Sequence, residues 1–421
     1  MNLFDDLKAR GLVHDLTDQP EMFDALERSG MTIYCGFDPT AESLHIGSLL
    51  PITGLMRFQR AGHRPLAVVG GATGMIGDPS GKSEERSLLD TDTLERNIEG
   101  MRAQLEGFLD FGGGKNAAKL LDNAGWLGGM SLVDFLRDAG KHFSVGYMMA
   151  KESVKARISE AGISYTEFSY MILQAYDYLH LFDTEGCTLQ IGGSDQWGNI
   201  TAGIELIRRA RGKAAFGITF PLITTSDGKK FGKTEEGNIW LDPERTSPYG
   251  FYQYWIQTDD RDVGRFLRYF TFLPIEEIEA IEKEHLDSPE KREGQRLLAR
   301  EVTGLVHGAE AAESNIRAAR ILFGGPLDGV AERDLLTAAS EMPRTKRSGA
   351  PPLPLIDVLV ESGLCKSKSM ARKDLMGGGI YVNNNRVGEE SAEISSDDLL
   401  FGRYVLLRKG KKNYHLIEFD A

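Results

Sequence analysis

Cysteine is scarce in this chain: Cys35, Cys187 and Cys365 are the only three among 421 residues, and they lie far apart. That count argues against a disulfide framework and against a zinc site built from paired cysteines. Long apolar runs are missing too. No stretch reaches the roughly 18 uninterrupted apolar residues of a membrane-spanning helix. Met1–Arg10 alternates apolar with charged residues and lacks the apolar core of a signal peptide. The expectation is a cytoplasmic protein with no membrane partner. Positive charge is also in deficit. The formal net charge of −13 disfavours an anionic partner on its face. Local clustering matters more than the sum, however. Two basic runs lie near the C-terminus: Lys366, Lys368, Arg372 and Lys373, then Arg403, Arg408, Lys409, Lys411 and Lys412, with no acidic residue inside either. They are candidate RNA contacts, set against the usual reading of such runs as a solvated face.

With 41% hydrophobic residues the chain can bury sizeable cores, and at about 150 residues per domain two or three domains are expected. The first two-thirds alternate short β-rich runs with helical patterns, which predicts a doubly wound α/β domain around a parallel sheet over residues 1–246. Expected strands are Thr32–Phe37, Leu66–Val69, Lys119–Leu121, Thr188–Gly192 and Ile218–Ile223. Expected helices are Ile46–Gln59, Ser169–Leu181 and Asp195–Arg209, the first with an apolar face of Leu49, Leu50, Ile52, Leu55, Met56 and Phe58. Residues 131–163 read as a helical insertion. Its Phe143, Val145, Tyr147, Met148 and Met149 exceed what a solvent-facing excursion needs and suggest a subunit interface. Residues 247–341 should be all-helical, and the Pro-rich stretch 342–353 should be a linker. A small α+β unit is expected over 354–421, with helices Leu355–Ser362 and Lys368–Met376. Its strands are expected at Ile380–Val382 and Arg403–Arg408, separated by the turn-forming Asn383-Asn384-Asn385.

Two constellations carry chemistry. In the first, Tyr34-Cys35-Gly36-Phe37-Asp38-Pro39-Thr40 is followed by His45-Ile46-Gly47-Ser48. A strand ending at a Gly-containing turn before a helix aims N–H groups, a hydroxyl and an imidazole at one spot, which suits a polyphosphate. Gly47 would let a nucleotide approach the helix closely. The second is Asp227-Gly-Lys-Lys-Phe-Gly-Lys-Thr234, three lysines in a loop able to reach the same phosphates. Taken singly, each also fits a structural turn or a solvated hairpin.

The pair, in this order, resembles the two signatures of class I aminoacyl-tRNA synthetases, here Pro39–Ser48 and Lys230–Thr234. More narrowly, it resembles the bacterial tyrosyl branch, over essentially the whole chain. Matching stretches include Gly70–Lys82, Tyr170–Gln174 with Asp177, and Gln190–Asn199. The first signature usually ends in His or Asn, where this chain has Ser48. The resemblance implies a doubly wound parallel-sheet nucleotide-binding domain, an all-helical domain on the anticodon side and a small α+β RNA-binding domain. It also implies a homodimer whose substrates are L-tyrosine, ATP with Mg2+ held mainly by its phosphates, and a tRNA. No protein metal site is implied.

The resemblance further assigns residues. Thr40 and His45 would hold the phosphates, with Lys230, Lys233 and Thr234 closing from the loop, and Lys82 and Arg86 as further cations. Tyr34 and Asp177 would bond the tyrosine hydroxyl, while Asp78, Tyr170 and Gln174 would grip its ammonium, supported by Gln190. Gln196 would face the reacting carboxylate. Cys35, Gly36, Asp38, Gly47, Ser48, Gly193 and Asp195 would line the ATP site. From the residues alone, Tyr34 also fits a core aromatic, and Asp78 and Asp195 also fit helix caps. The tryptophanyl relatives are the nearest alternative, and an RNA-binding protein without catalysis is the alternative of another class.

Overall fold

Five parallel strands lie at the centre of the first of two units: β1 (Thr32–Phe37), β2 (Arg64–Val69), β3 (Lys119–Asp122), β4 (Cys187–Gly193) and β5 (Phe216–Phe220). Their order is β3-β2-β1-β4-β5. The computed structural model describes residues 2–80, 89–160, 162–228, 231–234, 237–340, 342–349 and 351–420. One unit comprises Met1–Thr246 with Thr258–Leu298, and the other comprises Ser247–Gln257 with Ala299–Ala421.

The parallel sheet follows from its sequence. Strands covered by helices on both faces must be apolar throughout, and β2 and β5 are almost wholly buried. The order reverses beside β1, whose Tyr34 pairs with Leu66 of β2 on one side and with Gln190 of β4 on the other. Such a switch point leaves a crevice beyond the carboxyl ends of the strands. The last strand ends earlier than expected, at Phe220 rather than Ile223. Pro221 has no N–H to donate to the ladder, which stops it there.

The helices start and stop on local signals. All six predicted apolar residues of the first are buried, on a short 3-10 turn Ile46–Ser48 and the helix Leu49–Arg60. The helix Tyr165–Glu185 is longer than predicted. The Ser164 side chain caps its start by accepting from Glu167 N–H, and Gly186 ends it in the left-handed region. The helix Trp197–Arg211 ends in the same way at Gly212. Within 131–163 the helices Leu132–Asp138, Val145–Met149 and Glu152–Glu160 form, as expected of the insertion.

The second unit holds a five-stranded sheet in the order Asn385–Val387, Ile380–Val382, Tyr404–Lys409, Asn413–Phe419, Arg344–Arg347. The helices Leu355–Glu361 and Lys368–Met376 pack with it, burying Leu359, Leu375, Val405 and Leu407. Two expectations are corrected here. The stretch 342–353 is not a free linker: Arg344–Arg347 is a strand in parallel register with Leu416–Phe419. As a half-exposed edge strand of sequence Arg-Thr-Lys-Arg, it carries no apolar alternation to announce it. Likewise, Asn383 and Asn384 take positive φ and turn the chain back at once into Asn385–Val387. That is a tight hairpin of the kind asparagine favours. The run 247–341 is helical but divided between the units. Phe266 and Phe270 of the 258–298 portion lie on Phe231 of the first unit, with ring centroids 5.2 and 5.6 Å away. Periodicity reveals which face of a helix is apolar, not which body covers it.

Candidate active site

Beyond the carboxyl ends of β1 and β4 lies a cavity of about 270 Å³, which Tyr34, Asp78, Gln174, Asp177, Gln190 and Gln196 all line, with Tyr170. Tyr34 and Gln190 lie within β1 and β4, Tyr170, Gln174 and Asp177 on the 165–185 helix, and Asp78 and Gln196 on the turns after β2 and β4. The fold therefore gathers what is scattered over the chain.

One end of the cavity is built around a carboxylate. Asp177 is 2% exposed, and its two oxygens accept from Trp126 Nε1 at 2.7 Å and Asn123 Nδ2 at 3.0 Å. Burial pushes its carboxyl up to about 7, opposed by those two donors. Tyr34 is buried beside it, and burial, then the charge of Asp177, raises its phenol well above the usual range. It stays a neutral hydroxyl, able to donate and accept. Trp126 is itself stacked on His180, ring centroids 4.6 Å apart.

The other end is a carboxylate among carboxamides. Asp78 Oδ1 accepts from Ser80 N–H at 2.9 Å, and Oδ2 accepts from Gln196 Nε2 at 2.6 Å. Asn199 Nδ2 donates to Gln174 Oε1 at 3.0 Å, and Gln174 Nε2 donates to Gln196 Oε1 at 3.3 Å. Tyr170 donates its hydroxyl to Asp38 Oδ1 at 3.2 Å. Gln190 Oε1 is buried with no hydrogen-bond partner among the described residues, although Gln190 lines the cavity. A buried acceptor left open is costly, so a ligand that donates to it gains by binding.

A wider cavity of about 860 Å³ adjoins the first, sharing Asp38, Gly193 and Asp195 with it and reaching Thr40, His45, Gly47 and Ser48. His45 is exposed there, and its Nδ1 accepts from Gly47 N–H at 2.9 Å. That bond places the proton of the neutral ring on Nε2, a donor suited to phosphate oxygen. Gly47 is required for the arrangement: a Cβ at that position would lie 2.6 Å from His45 Cε1. Ser48 caps the 49–60 helix by position only, because its side chain makes no cap hydrogen bond. Cys35 is buried, and burial raises its thiol to about 12, so it remains protonated and chemically quiet.

Of the loop cations, Lys82, Arg86 and Lys230 lie outside the described residues. Lys233 is exposed on a short hairpin in which Lys233–Thr234 pairs with Gly237–Asn238. The chain then returns to the first signature, since Ile46 N–H donates to Ile239 O and Leu241 N–H to Leu44 O. Ile239 N–H in turn donates to Gly232 O, so Ile239 links the two signatures by backbone hydrogen bonds.

In the second unit the basic runs do not all face solvent. Arg408, a candidate RNA contact, is 9% exposed and lies over the Tyr381 ring at 3.6 Å, so it is corrected to a packing cation. Lys409 pairs with Asp374 at 2.7 Å, Lys368 with Asp357 at 2.7 Å and Arg372 with Glu390 at 2.8 Å. Lys366 and Lys373 are exposed. Each acidic partner lies outside the basic runs in sequence, which is why clustering along the chain missed the pairing. Asn123, Trp126 and Asn199 were also missed as site residues. The signal available for Asn123 was its place, a polar residue directly after a strand.

Among the described residues no group of three or more His, Cys, Asp or Glu could hold a metal ion. No described helix is long and apolar enough to cross a membrane.

Comparison with known proteins gives the family. The family of class I tRNA synthetases (W and Y) matches residues 26–324, and the tyrosine–tRNA ligase SYY-like C-terminal domain matches residues 334–417. The tyrosine–tRNA ligase of Bacillus caldotenax is 54% identical over 420 residues, covering 100% of both chains. Tyrosine–tRNA ligase 1 of Bacillus subtilis is 51% identical, covering 99% of each. Among solved structures, a C-terminally truncated mitochondrial tyrosyl-tRNA synthetase of Aspergillus nidulans superposes with a TM-score of 0.69 at 32% identity. It covers 76% of this chain and 94% of that one. A tryptophanyl-tRNA synthetase of Encephalitozoon cuniculi, at 14% identity and a TM-score of 0.54, shares the fold alone. With both domains matched and full-length relatives above 50% identity, the chain belongs to the class I aminoacyl-tRNA synthetases, in the bacterial tyrosyl-tRNA synthetase family.

Proposed function

We propose that this chain activates L-tyrosine with ATP and transfers the tyrosyl group to the 3′ end of its tRNA. The observation that carries the reading is the buried Tyr34–Asp177 end of the pocket, a hydroxyl beside a carboxylate. A phenol donates to Asp177 and accepts from Tyr34. Phenylalanine would leave the Tyr34 hydroxyl without this partner and Asp177 with only its Asn123 and Trp126 donors, at about 1–3 kcal/mol for each buried hydrogen bond not made.

In the activation step a tyrosine carboxylate oxygen attacks the α-phosphorus of ATP. The bond to the bridging oxygen breaks, and pyrophosphate leaves with that electron pair. In transfer, a terminal ribose hydroxyl of tRNA attacks the acyl carbon, and AMP departs. The carboxylate is already ionised at neutral pH, so catalysis rests on positioning and on stabilising the leaving charge. Asp78 and Gln174, with Tyr170, would grip the ammonium, Gln190 would support that end, and Gln196 would face the carboxylate. Gly193 and Asp195 would meet the ribose beside Cys35, Gly36 and Asp38. Thr40, His45 and Gly47 would hold the phosphates, with Ser48 at the helix start. Lys230, Lys233 and Thr234, with Lys82 and Arg86, would close over them. ATP would arrive as its magnesium complex. The ion would be held mainly by phosphate oxygens.

The helices within 247–341 would meet the anticodon stem, and residues 354–421 would bind RNA through cations such as Lys366 and Lys373. Three buried free cysteines suit a cytoplasmic location. A homodimer is supported by the insertion, where Leu132, Val133, Leu136, Val145 and Met149 are all exposed. Such a patch on a monomer marks a contact surface. Replacing Val133 with Lys should convert a dimer to a monomer in sedimentation equilibrium, whereas a monomeric parent would overturn the dimer.

The first test is amino-acid-dependent ATP–pyrophosphate exchange with tyrosine, phenylalanine and tryptophan. Exchange with tyrosine alone is expected, and exchange with tryptophan would sink the reading. Changing Lys366 and Lys373 together to Glu should lower tRNA charging and leave exchange unaltered.

A further inference from the structure

The segment from Pro39 to His45 delivers Thr40 and His45 to the phosphate side, yet it is neither helix nor strand of the sheet. Its backbone groups need partners from elsewhere. One helix, Thr91–Phe108, supplies several of them from a single face. Asn97 Nδ2 donates to Pro39 O at 2.9 Å. Gln104 Oε1 accepts from Leu44 N–H at 2.8 Å, and its Nε2 donates to Ser43 Oγ at 2.9 Å. Between them sits Gly100, where a Cβ would overlap the Glu42 carbonyl oxygen. Positions 97, 100 and 104 recur at helical spacing on one stripe. The orientation of the Gln104 amide is forced, because the reverse would set two donors against each other at Leu44.

Ser43 is the node of the arrangement. It is 4% exposed, donates to Leu44 O at 2.8 Å, and accepts from both Gln104 and Asp242 N–H, the latter at 3.3 Å. Asp242 follows the segment Ile239–Leu241, which pairs with Leu44 and Ile46 and leads back to the lysine loop. Ser43 therefore joins the 91–108 helix, the first signature and the exit of the second. For packing alone, apolar side chains at 97 and 104 would serve, as Leu94, Ile98, Met101 and Leu105 do on the same helix.

We propose that the Asn97–Gly100–Gln104 face, which lies off the cavity lining, acts through Ser43 at the cavity wall to position the first signature for adenylyl transfer. The inference rests on the tyrosine-activation reading above. Asn97, Gln104 and Ser43 are positioning residues, and their loss should move the transition state more than tyrosine binding.

Gln104→Met keeps the volume and removes both hydrogen bonds, and Ser43→Ala removes the node with little change of shape. In the full-length enzyme each should lower kcat of tyrosine-dependent exchange by about tenfold, the size of one lost buried hydrogen bond. KM for tyrosine should stay within about twofold, as uniform binding is untouched. Gln104→Glu should restore much of the rate, since a carboxylate still accepts from Leu44 N–H and Ser43 can turn to donate. Parental kcat in both Gln104→Met and Ser43→Ala would overturn the proposal, as would a tyrosine KM that rises in step with a falling Tm. A second readout needs no turnover: the His45 ring resonances in the ligand-free enzyme should shift in Gln104→Met, and unchanged resonances also count against it. Absence of exchange in the parent tells against the activation reading and leaves the resonance test to judge this one.

Discussion

Lowering the pH from 8 to 6 is expected to weaken tyrosine binding by up to about tenfold, as the ionised fraction of a group titrating near 7 falls by that factor. Phenylalanine binding should not follow. The cause is Asp177, whose carboxyl burial raises to about 7 while hydrogen bonds from Asn123 and Trp126 oppose the rise. The ionised carboxylate accepts from a phenol in a charge-assisted bond roughly twice as strong as the neutral acid can offer. Phenylalanine has no hydroxyl, so its binding is blind to that proton. The same shift has a stability consequence of definite sign. A carboxyl raised from 3.8 to about 7 on folding binds its proton more tightly in the folded state. Its stabilising contribution is complete below pH 3.8 and is lost as pH rises through about 7. Isothermal titration of both amino acids across this range tests the idea, with Asp177→Asn expected to flatten the tyrosine profile. A phenylalanine profile as steep as that of tyrosine would place the titrating group at the ammonium end instead.

Gly47→Ala should cost about a hundredfold in kcat for adenylate formation, a loss typical of removing one donor to developing charge. A Cβ there would lie 2.6 Å from Cε1 and 2.8 Å from Nδ1 of the His45 ring, and the ring must leave. With it goes the bond from Gly47 N–H that keeps the proton on Nε2. His45→Ala should produce a similar loss by deleting the donor outright. The double variant is then expected to be no worse than either single one, because both remove the same interaction. Tyrosine affinity and Tm should be near parental in all three, since His45 is exposed and distant in role from the phenol pocket. Additive losses in the cycle would show that Gly47 acts on phosphate by a route of its own.

Much of the site was legible before the fold. Tyr34, Asp78, Gln174, Asp177, Gln190 and Gln196 line one cavity, and Thr40, His45, Gly47 and Ser48 line the next. They could be named because the two signatures and the stretches Gly70–Lys82, Tyr170–Gln174 and Gln190–Asn199 resemble the tyrosyl branch position by position. The shell around them could not. Asn123 and Trp126 reach Asp177 from 54 and 51 residues away, and Gln104 reaches Leu44 from 60. No local pattern marks a carboxamide as the partner of a particular distant carbonyl or carboxylate. Arg408 erred for the same reason. Within its run it reads as one basic residue among several, and only the Tyr381 ring beneath it makes it a packing group.

By itself, then, the sequence determined the α/β architecture of the first unit, the helical and α+β character of the remaining chain, and the family. Those depend on periodicity, turn chemistry and short motifs, all local along the chain. Tertiary structure alone decided that Arg344–Arg347 is an edge strand rather than a tether, and that residues 258–298 belong with the first unit. It also decided which cations near the C-terminus are neutralised and which polar side chains hold the site's own residues in place. Those outcomes depend on contacts between residues far apart in the chain, whose energies exist only once a partner is brought within about 3 Å.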